Sequence, residues 1–335
     1  MEAAERKRTK IALTAALILM GAALLLSVCV GKYPISVREI IDVLAGREVK
    51  ALTRDVFFTL RLPRTLMALL AGLALGMAGS VYQTIFKNPL AAPDIIGMAS
   101  GANLGAACAI VLAGSAAMTV ALGAFGGGIL AVLFVMLLVR VTNSRSTATY
   151  VLAGIVISAV AQALIMTLKF FADPEKELAA IEFWSMGSFG GVTLDKFLTV
   201  LPVVLFAMAG LCLLRRQVAL LALDEDESRM LGLRIIPVRA AVLALSTLMV
   251  AAVISVTGLI TFIGLIAPHI ARLILRRNSF TATVLAAIIG GTVLLYADCL
   301  ARVLYSAELP ISILTTLVGV PFLVYFMCNR KRGRI

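Results

Sequence analysis

Long apolar runs separated by short polar stretches fill the chain from residue 11 onwards. Ten of these runs approach the roughly 20 residues that a helix needs to cross a bilayer. They span residues 11–30, 62–86, 95–114, 117–139, 150–171, 197–214, 240–256, 258–275, 281–304 and 311–328. Because the runs are continuous rather than alternating, they indicate helices and not the strands of a β-barrel. The pattern predicts an all-α polytopic membrane protein with about ten transmembrane helices, in a single domain over residues 1–335.

The first run follows a charged cap at residues 1–10. A cleaved signal peptide is the alternative interpretation of residues 11–30, but the run is long for one and has no clear A-x-A site. We therefore interpret it as an uncleaved first span. Downstream, residues 35–46 (ISVREIIDVLAG) alternate apolar and polar positions in a way that predicts a short amphipathic helix along the membrane surface.

Composition narrows the class of protein further. Hydrophobic residues make up 61% of the 335 residues, against about 45–50% in soluble domains, so a soluble enzyme is excluded. The five cysteines lie far apart without a CxxC pair, and His269 is the sole histidine, so neither a disulfide framework nor a metal site is indicated. The sequence contains no GxxxxGK[ST] phosphate loop, so we expect no bound cofactor and no ATP hydrolysis by this chain.

The net charge of +12 is unevenly distributed between the two sides of the predicted membrane. Ten spans place both termini on one side, and that side carries 19 of the 30 Lys and Arg residues but only 7 of the 18 acidic residues. The opposite side carries 11 of each. The positive-inside rule therefore places both termini in the cytoplasm. Because topology accounts for the whole excess of positive charge, no nucleic-acid partner is expected.

Residues 220–234 (LLALDEDESRMLGLR) interrupt the apolar pattern most sharply. Four adjacent acids, residues 224–227, would each cost about 2.5–3.5 kcal/mol in the hydrocarbon core, so the segment lies in water on the cytoplasmic side. Asp224 and Glu227 have the spacing of a helix capping box, and Gly232 is placed to end the short helix.

That short helix would also carry an apolar patch, formed by Met230, Leu231 and Leu233. Two interpretations of the segment follow from its residues. It either docks a soluble partner through the patch, or it is a solvated loop that is kept polar to fix the topology.

Eight strings, taken together and in order, resemble the FecCD family, the permeases of ABC importers for iron–siderophores, haem and cobalamin. They are RLPR (61–64), GLALGMAGSVYQTIFKNPLAAPDIIGMASGA (72–102), LAGI (152–155), FWSMGSFGGV (183–192), LALDEDESRMLGL (221–233), GLITFIGLIAPHIARLI (258–274), ADCLAR (297–302) and ELPISILTTLVGVPFLVY (308–325). The resemblance covers residues 57–327. Its most specific parts, in combination, are NPLAAPD and FIGLIAPHIAR.

The resemblance implies a permease subunit in the cytoplasmic (inner) membrane, surrounded by lipid. It implies a second permease copy, as a homodimer or with a paralogue, and two cytoplasmic ATPase subunits that use the ATP. It also implies an extracytoplasmic solute-binding protein that delivers the cargo. An iron chelate, haem or cobalamin would then enter the cytoplasm by alternating access.

The resemblance also implies roles for particular residues. Segment 220–234 matches the coupling helices that dock on the ATPase, which favours docking over the solvated loop. The implied coupling residues are Asp224, Glu225, Asp226, Glu227, Ser228, Arg229, Met230, Leu231 and Gly232. Near the external span ends, Arg61, Arg64 and Arg302 match the arginines that pair with glutamates of the binding protein. Snorkelling of these side chains at the membrane interface is the alternative.

Further matches concern a gate, a corner and two local contacts. Ser146 and Thr147 match small polar residues at the cytoplasmic gate, and an ordinary helix N-cap is the alternative. Asn88, Pro89 and Pro93 match a structural corner between the second and third spans, with a helix expected to start at Asp94. We also expect Asp298 to pair with Arg302 at i, i+4, or to act as a capping acceptor. His269 is expected to pack or hydrogen-bond at a helix interface rather than bind a ligand.

Two other classes of membrane protein are alternatives to the importer permease. An ion-coupled secondary transporter would need ionisable groups near the bilayer midplane. The polar residues in mid-span are instead neutral: Gln83, Asn103 and Gln162. A membrane enzyme would need a catalytic constellation, and a chain with one histidine and no paired intramembrane carboxylates lacks one.

Overall fold

The structure is a computed structural model that describes residues 2–142, 146–305 and 308–330. Within these residues it is helical throughout, without strands. The helices are α1 (Glu2–Cys29), α2 (Val37–Leu44), α3 (Ala51–Asp55), α4 (Leu62–Ile85), α5 (Met98–Ala113), α6 (Ala117–Val141), α7 (Thr147–Phe171), α8 (Ala179–Ser185), α9 (Leu194–Leu213), α10 (Arg215–Leu220), α11 (Glu225–Met230), α12 (Ile235–Thr257), α13 (Ile263–Leu275), α14 (Phe280–Val303) and α15 (Ile311–Arg330). Two π-helical turns, Val56–Arg61 and Pro174–Leu178, and one 3-10 turn, Pro93–Ile96, complete the set.

In the described part of the chain, seven helices are long and apolar enough to cross a membrane. They are Glu5–Cys29, Ala51–Ile85, Ala117–Val141, Thr147–Phe171, Leu194–Leu213, Ile235–Thr257 and Phe280–Val303. Each coincides with one of the predicted apolar runs, which confirms the polytopic helical fold. The remaining three runs correspond to shorter apolar helices, so the count of ten spans stays a prediction, as does the side on which the termini lie.

Two of the short helices begin later than the apolar pattern predicts. Gly97 has a left-handed conformation (φ +74°), so α5 begins only at Met98. Similarly, Gly258 and Phe262 both have positive φ, so α13 begins only at Ile263 and has 13 residues. At 1.5 Å per residue that is about 20 Å, less than the ~30 Å hydrocarbon core. A continuous apolar run therefore overstates the length of these two helices.

Helix α4 forms the centre of the bundle. It is buried along most of its length, whereas α1 is largely exposed at the periphery. Glycines let its neighbour α14 approach closely, because a Cβ on Gly72 would overlap the backbone of Gly290. Glycines also let α5 pack closely against α6, because a Cβ on Gly105 would overlap the backbone of Gly123. This is the close helix contact that small residues permit in membranes.

The polar segment after α1 folds back onto the outer ends of the spans. Helix α2 begins with a capping box, in which Ser36 and Glu39 each cap the other's backbone N–H. Ile40 and Val43 of α2 pack with Phe57 in a small core of their own. The predicted amphipathic helix is confirmed, and it packs beside Phe57 on the α3–α4 span. Its position along the membrane surface stays a prediction.

Candidate functional site

The segment 220–234 begins at the last residue of α10 and contains a turn followed by the short helix α11. Asp224 occupies the N-cap position of α11, but its side chain makes no capping hydrogen bond. The predicted capping box with Glu227 is therefore wrong. The carboxylate of Asp224 instead accepts a hydrogen bond from Lys87 Nζ at 2.9 Å. That hydrogen bond and the positive charge of Lys87 lower the pKa of Asp224 below its usual range.

Gly232 ends helix α11, as predicted. It has a left-handed conformation (φ +82°), and its N–H donates to Arg229 O at 2.9 Å. The N–H of Leu233 donates to Ser228 O at 3.0 Å. This pair of hydrogen bonds is the Schellman motif, in which glycine adopts the left-handed conformation at little cost.

The same motif turns Leu233 inward. Leu233 is buried in the main core, while Met230 is 80% exposed and Leu231 is 59% exposed. The expectation of a three-residue patch is therefore wrong for Leu233, since the residue after a Schellman glycine commonly packs back on the helix. Met230 and Leu231 remain as an exposed apolar pair beside the acids of α11, and we name this pair with Asp226 the coupling face.

Buried polar contacts hold the coupling face in place. The hydroxyl of Ser228, which is buried, donates to Leu220 O at 2.8 Å and so joins α11 to α10. Glu225 pairs with the buried Arg239 of α12 at 2.7 Å. Because Arg239 lies in the first turns of a long span, this ion pair connects segment 220–234 directly to the membrane helices.

The corner between α4 and α5 lies beside this segment. Asn88 Oδ1 accepts from Leu90 N at 2.9 Å, and Asn88 O accepts from Ala91 N at 3.0 Å, which closes a tight turn around Pro89. The expected helix start at Asp94 is replaced by the 3-10 turn that opens at Pro93. Lys87, at the start of the corner, makes the ion pair with Asp224. The sequence had not indicated that the corner and the coupling segment meet.

Ser146 and Thr147 begin α7. Ser146 Oγ accepts a hydrogen bond from Ala148 N at 3.1 Å, so Ser146 is an N-cap, and Thr147 is the first helical residue. The structural interpretation of Ser146 is thus confirmed. A role of the two residues in a cytoplasmic gate stays a prediction.

The three outer arginines come together, but inside the protein. Arg61, Arg64 and Arg302 are only 7%, 8% and 4% exposed. Arg64 donates to Asp298 at 2.9 Å and to Glu308 at 2.6 Å. Arg302 pairs with Asp298 at 3.0 Å, which confirms the predicted i, i+4 contact.

The remaining contacts of this cluster tie α1 and the turn after it to the start of α4 and the end of α14. Arg61 donates to the backbone oxygens of Val30 at 2.6 Å and Tyr33 at 3.2 Å. Arg302 also donates to Ser27 Oγ of α1 at 2.9 Å. The arginines were expected as exposed docking groups or snorkelling side chains, and the structure shows them buried and paired instead. Their docking to a binding protein stays a prediction.

A small cavity of about 190 Å³ opens onto this cluster. We name the cluster and its cavity together the outer arginine site. Its walls include the three arginines together with Lys32, Tyr33, Phe189, Gly190 and Glu308. Sequence reasoning missed Glu308. The signal that could have found it is its position two residues before Pro310, at the start of the last apolar run.

A larger cavity of about 580 Å³ lies between the outer ends of α6, α9 and α12. Its lining is mostly apolar. The hydroxyls of Thr199 and Ser255, which also line it, donate to carbonyls of their own helices. Elsewhere, the ring of His269 is buried against Phe322 with centroids 6.0 Å apart, in agreement with a packing role.

The sequence matches the FecCD transport family over residues 17–329. The chain belongs to this family. FecCD relatives include the molybdate import system permease MolB of Haemophilus influenzae, which is 37% identical over 94% of this chain and 96% of its own length. The vitamin B12 import system permease BtuC of Shigella boydii is 34% identical over 94% of both chains. A probable iron chelatin transport system permease of Helicobacter pylori is 37% identical over 83% of both.

Solved structures agree with the FecCD assignment. A metal-chelate type ABC transporter in an inward-facing conformation superimposes with a TM-score of 0.84 at 32% identity, over 95% of this chain and 99% of that one. PsaBC of Streptococcus pneumoniae, in complex with a Fab, superimposes with a TM-score of 0.55 at 15% identity over 85% of this chain and 94% of that one, which supports the fold alone.

The predicted family is therefore confirmed, and it fixes the class of protein. This FecCD chain is a multi-pass membrane protein and the permease subunit of an ABC importer. It is a transport subunit rather than an enzyme, and ATP is hydrolysed by a separate subunit. The family assignment decides against the ion-coupled secondary transporter and the membrane enzyme.

Proposed function

We propose that this FecCD permease imports a metal chelate, namely a ferric siderophore, haem or cobalamin, across the cytoplasmic membrane by alternating access. The observation that carries the proposal is the close structural similarity, over nearly the whole chain, to a metal-chelate type transporter. The vitamin B12 and iron chelatin relatives support the same cargo class. The molybdate relative makes a small oxyanion the second candidate.

The polar groups in the middle of the spans favour the chelate. Gln83, Asn103 and Gln162 are uncharged, and Gln83 Nε2 is already committed to Leu265 O at 3.2 Å. A small oxyanion bound in the membrane needs several strong donors, usually cationic ones. A large chelate with an apolar periphery can instead pass a neutral lining that holds it weakly. In this proposal the cargo moves through a cavity between two permease copies.

The coupling face is the proposed docking site for the ATPase subunits. Its exposed Met230 and Leu231 offer an apolar anchor, and the surrounding acids offer polar contacts at the rim. Two ion pairs would transmit movement of the docked ATPase to the spans. Glu225–Arg239 connects the segment to α12, and Asp224–Lys87 connects it to the corner after α4. The segment would thus move two spans together as ATP is bound and hydrolysed.

The other partners complete the proposed cycle. A loaded solute-binding protein docks over the outer arginine site and releases its cargo into the mouth of a permease dimer. Ser146 and Thr147 lie at the cytoplasmic exit. The chain itself binds no cofactor and no nucleic acid in this scheme, and bilayer lipid surrounds it.

Reconstitution tests the cargo. The permease and the ATPase subunit of its own operon would be placed in liposomes, and ATP hydrolysis measured after adding binding proteins loaded with haem, a ferric siderophore, cobalamin or molybdate. We expect stimulation, with ATP-dependent uptake, by one of the three chelates. Stimulation by the molybdate-loaded protein alone would replace the chelate with the oxyanion.

A further inference from the structure

The two carboxylates that hold Arg64 are very different in their surroundings. Asp298, on α14, is completely buried and contacts both Arg64 and Arg302. Glu308, just before α15, contacts Arg64 through a single 2.6 Å ion pair, and its side chain is 39% exposed at the wall of the outer cavity. One carboxylate is therefore a fixed part of the core, while the other is within reach of solvent.

Electrostatics explains why a second carboxylate is needed. A buried guanidinium that loses its partner is destabilised by several kcal/mol. Asp298 is shared between Arg64 and Arg302, so one charge serves two cations. If the outer arginine site receives a carboxylate from a partner protein, Arg64 still needs a counter-ion whenever that partner is absent. Glu308 supplies one from within the chain.

The cavity in front of Arg64 has the charge and the room for a second carboxylate. Four basic residues and one acid, Glu308, line its wall. Its volume of about 190 Å³ is several times the ~30 Å³ share of a water molecule. Because Asp298 occupies Nε and Nη2 of Arg64 and Glu308 occupies Nη1, a carboxylate that enters competes with Glu308 for Nη1.

We propose that Glu308 is an internal placeholder, and that docking of the solute-binding protein is an exchange of carboxylates at Arg64. In the free permease, Glu308 neutralises Arg64. On docking, an acidic side chain of the binding protein takes its place, and Glu308 turns to solvent. This inference rests on the docking role in the proposed function. It adds Glu308 as an internal competitor of the binding protein's acidic side chain.

Gly190, which has no Cβ, leaves room for the Glu308 side chain beside Arg64. A Cβ at residue 190 would overlap Oε2 of Glu308, whereas a Cβ at the neighbouring Gly191 would meet only Lys196 Nζ, at 3.9 Å. The atom in the way at residue 190 is the end of a flexible side chain, so alanine there would displace Glu308 and leave the backbone unchanged. The chain therefore offers a way to weaken the ion pair without removing the carboxylate, and an adjacent substitution as control.

The experiment measures the affinity of the permease–ATPase complex in nanodiscs for the solute-binding protein encoded beside it. Glu308→Gln removes the competing charge, so we expect the Kd to fall about tenfold, the effect of losing one charged hydrogen bond. Gly190→Ala should lower the Kd in the same direction, by about threefold. Gly191→Ala should leave it unchanged.

The sign of the change separates the exchange from simpler roles. If Glu308 only shapes the outer surface, or itself contacts the binding protein, Glu308→Gln will weaken binding or leave it unaltered. Either result, with measurable wild-type binding, would overturn the exchange and leave the proposed function intact. Absence of binding by the wild type would overturn both. Should Glu308→Gln fail to elute as an assembled complex, Gly190→Ala decides alone.

Discussion

The outer arginine site and the short helix α11 that carries the coupling face both contain clustered charges, but the surroundings of those charges are opposite. At the outer site three arginines are buried. The chain's own Asp298 and Glu308 pair with Arg64 and Arg302, while Arg61 donates to backbone oxygens. Beside the coupling face, Glu225 pairs with the buried Arg239 of α12, and the acids of α11 remain largely in solvent.

This difference follows from where the residues lie along the helices. Arg64 and Arg302 lie inside long membrane spans, where an unpaired charge is costly and a partner must be provided by the fold. The acids of α11 lie in a polar segment between two spans, where water solvates them and ion pairs contribute little to stability. Substitutions at the outer site should therefore affect mainly stability, and substitutions at the coupling face mainly assembly.

The largest effect is expected for Asp298→Ala. This substitution leaves Arg64 and Arg302 buried without their shared carboxylate, which should destabilise the protein by about 3–5 kcal/mol. Thermal unfolding in detergent should show a Tm lower by about 10 °C. Asp42→Ala is the control, because it removes a pair with the 70% exposed Arg47 and should change the Tm little. A variant that melts like the wild type would contradict the buried network.

The next effect is expected for the double variant Met230→Glu with Leu231→Glu. Both side chains are exposed, so the Tm should stay close to that of the wild type, while the apolar anchor for the ATPase is lost. Anchor residues of this kind are worth about 2 kcal/mol or more, so association should weaken roughly 30-fold. Co-purification of the ATPase measures this change. Glu48→Gln, at an exposed acid outside segment 220–234, is the control and should leave co-purification unchanged. Undiminished co-purification of the double variant would refute docking there.

The smallest effect is expected for Asp224→Asn, which removes the solvent-accessible pair with Lys87. Because this pair lowers the pKa of Asp224, its contribution is present above the usual carboxylate pKa of about 4 and is lost as the pH falls through the lowered value. The variant and the wild type should therefore differ slightly in Tm at pH 7 and converge in acid or at high salt. Asp226→Asn, at a neighbouring exposed acid, is the control. A difference that grows in acid would contradict the assigned ion pair.

Local features of the fold were predictable from the sequence, and features that depend on distant residues were not. Apolar runs predicted the long spans, Gly232 predicted the end of α11, and the i, i+4 spacing predicted the Asp298–Arg302 pair. The capping box failed because Lys87, 137 positions away in sequence, competes for Asp224. Glu308 was missed for the same reason, since its partner Arg64 is 244 positions away.

Burial was the other quantity that the sequence could not supply. An arginine at a span end suits an exposed interface and a buried network equally well in sequence, and only the packing of α4 against α14 distinguishes them. Likewise, Leu233 looked like part of a surface patch until the Schellman turn placed it in the core. The family resemblance assigned both regions a docking role, but it did not contain this information about burial.

One labelling measurement tests the central claim, that the coupling face is an open cytoplasmic surface for the ATPase. Leu231→Cys would be introduced after replacing the native cysteines, and sealed inside-out vesicles treated with a membrane-impermeant maleimide. We predict rapid labelling of the permease alone and protection once the ATPase is assembled. Labelling only in right-side-out vesicles, or equal labelling with and without the ATPase, would contradict the account.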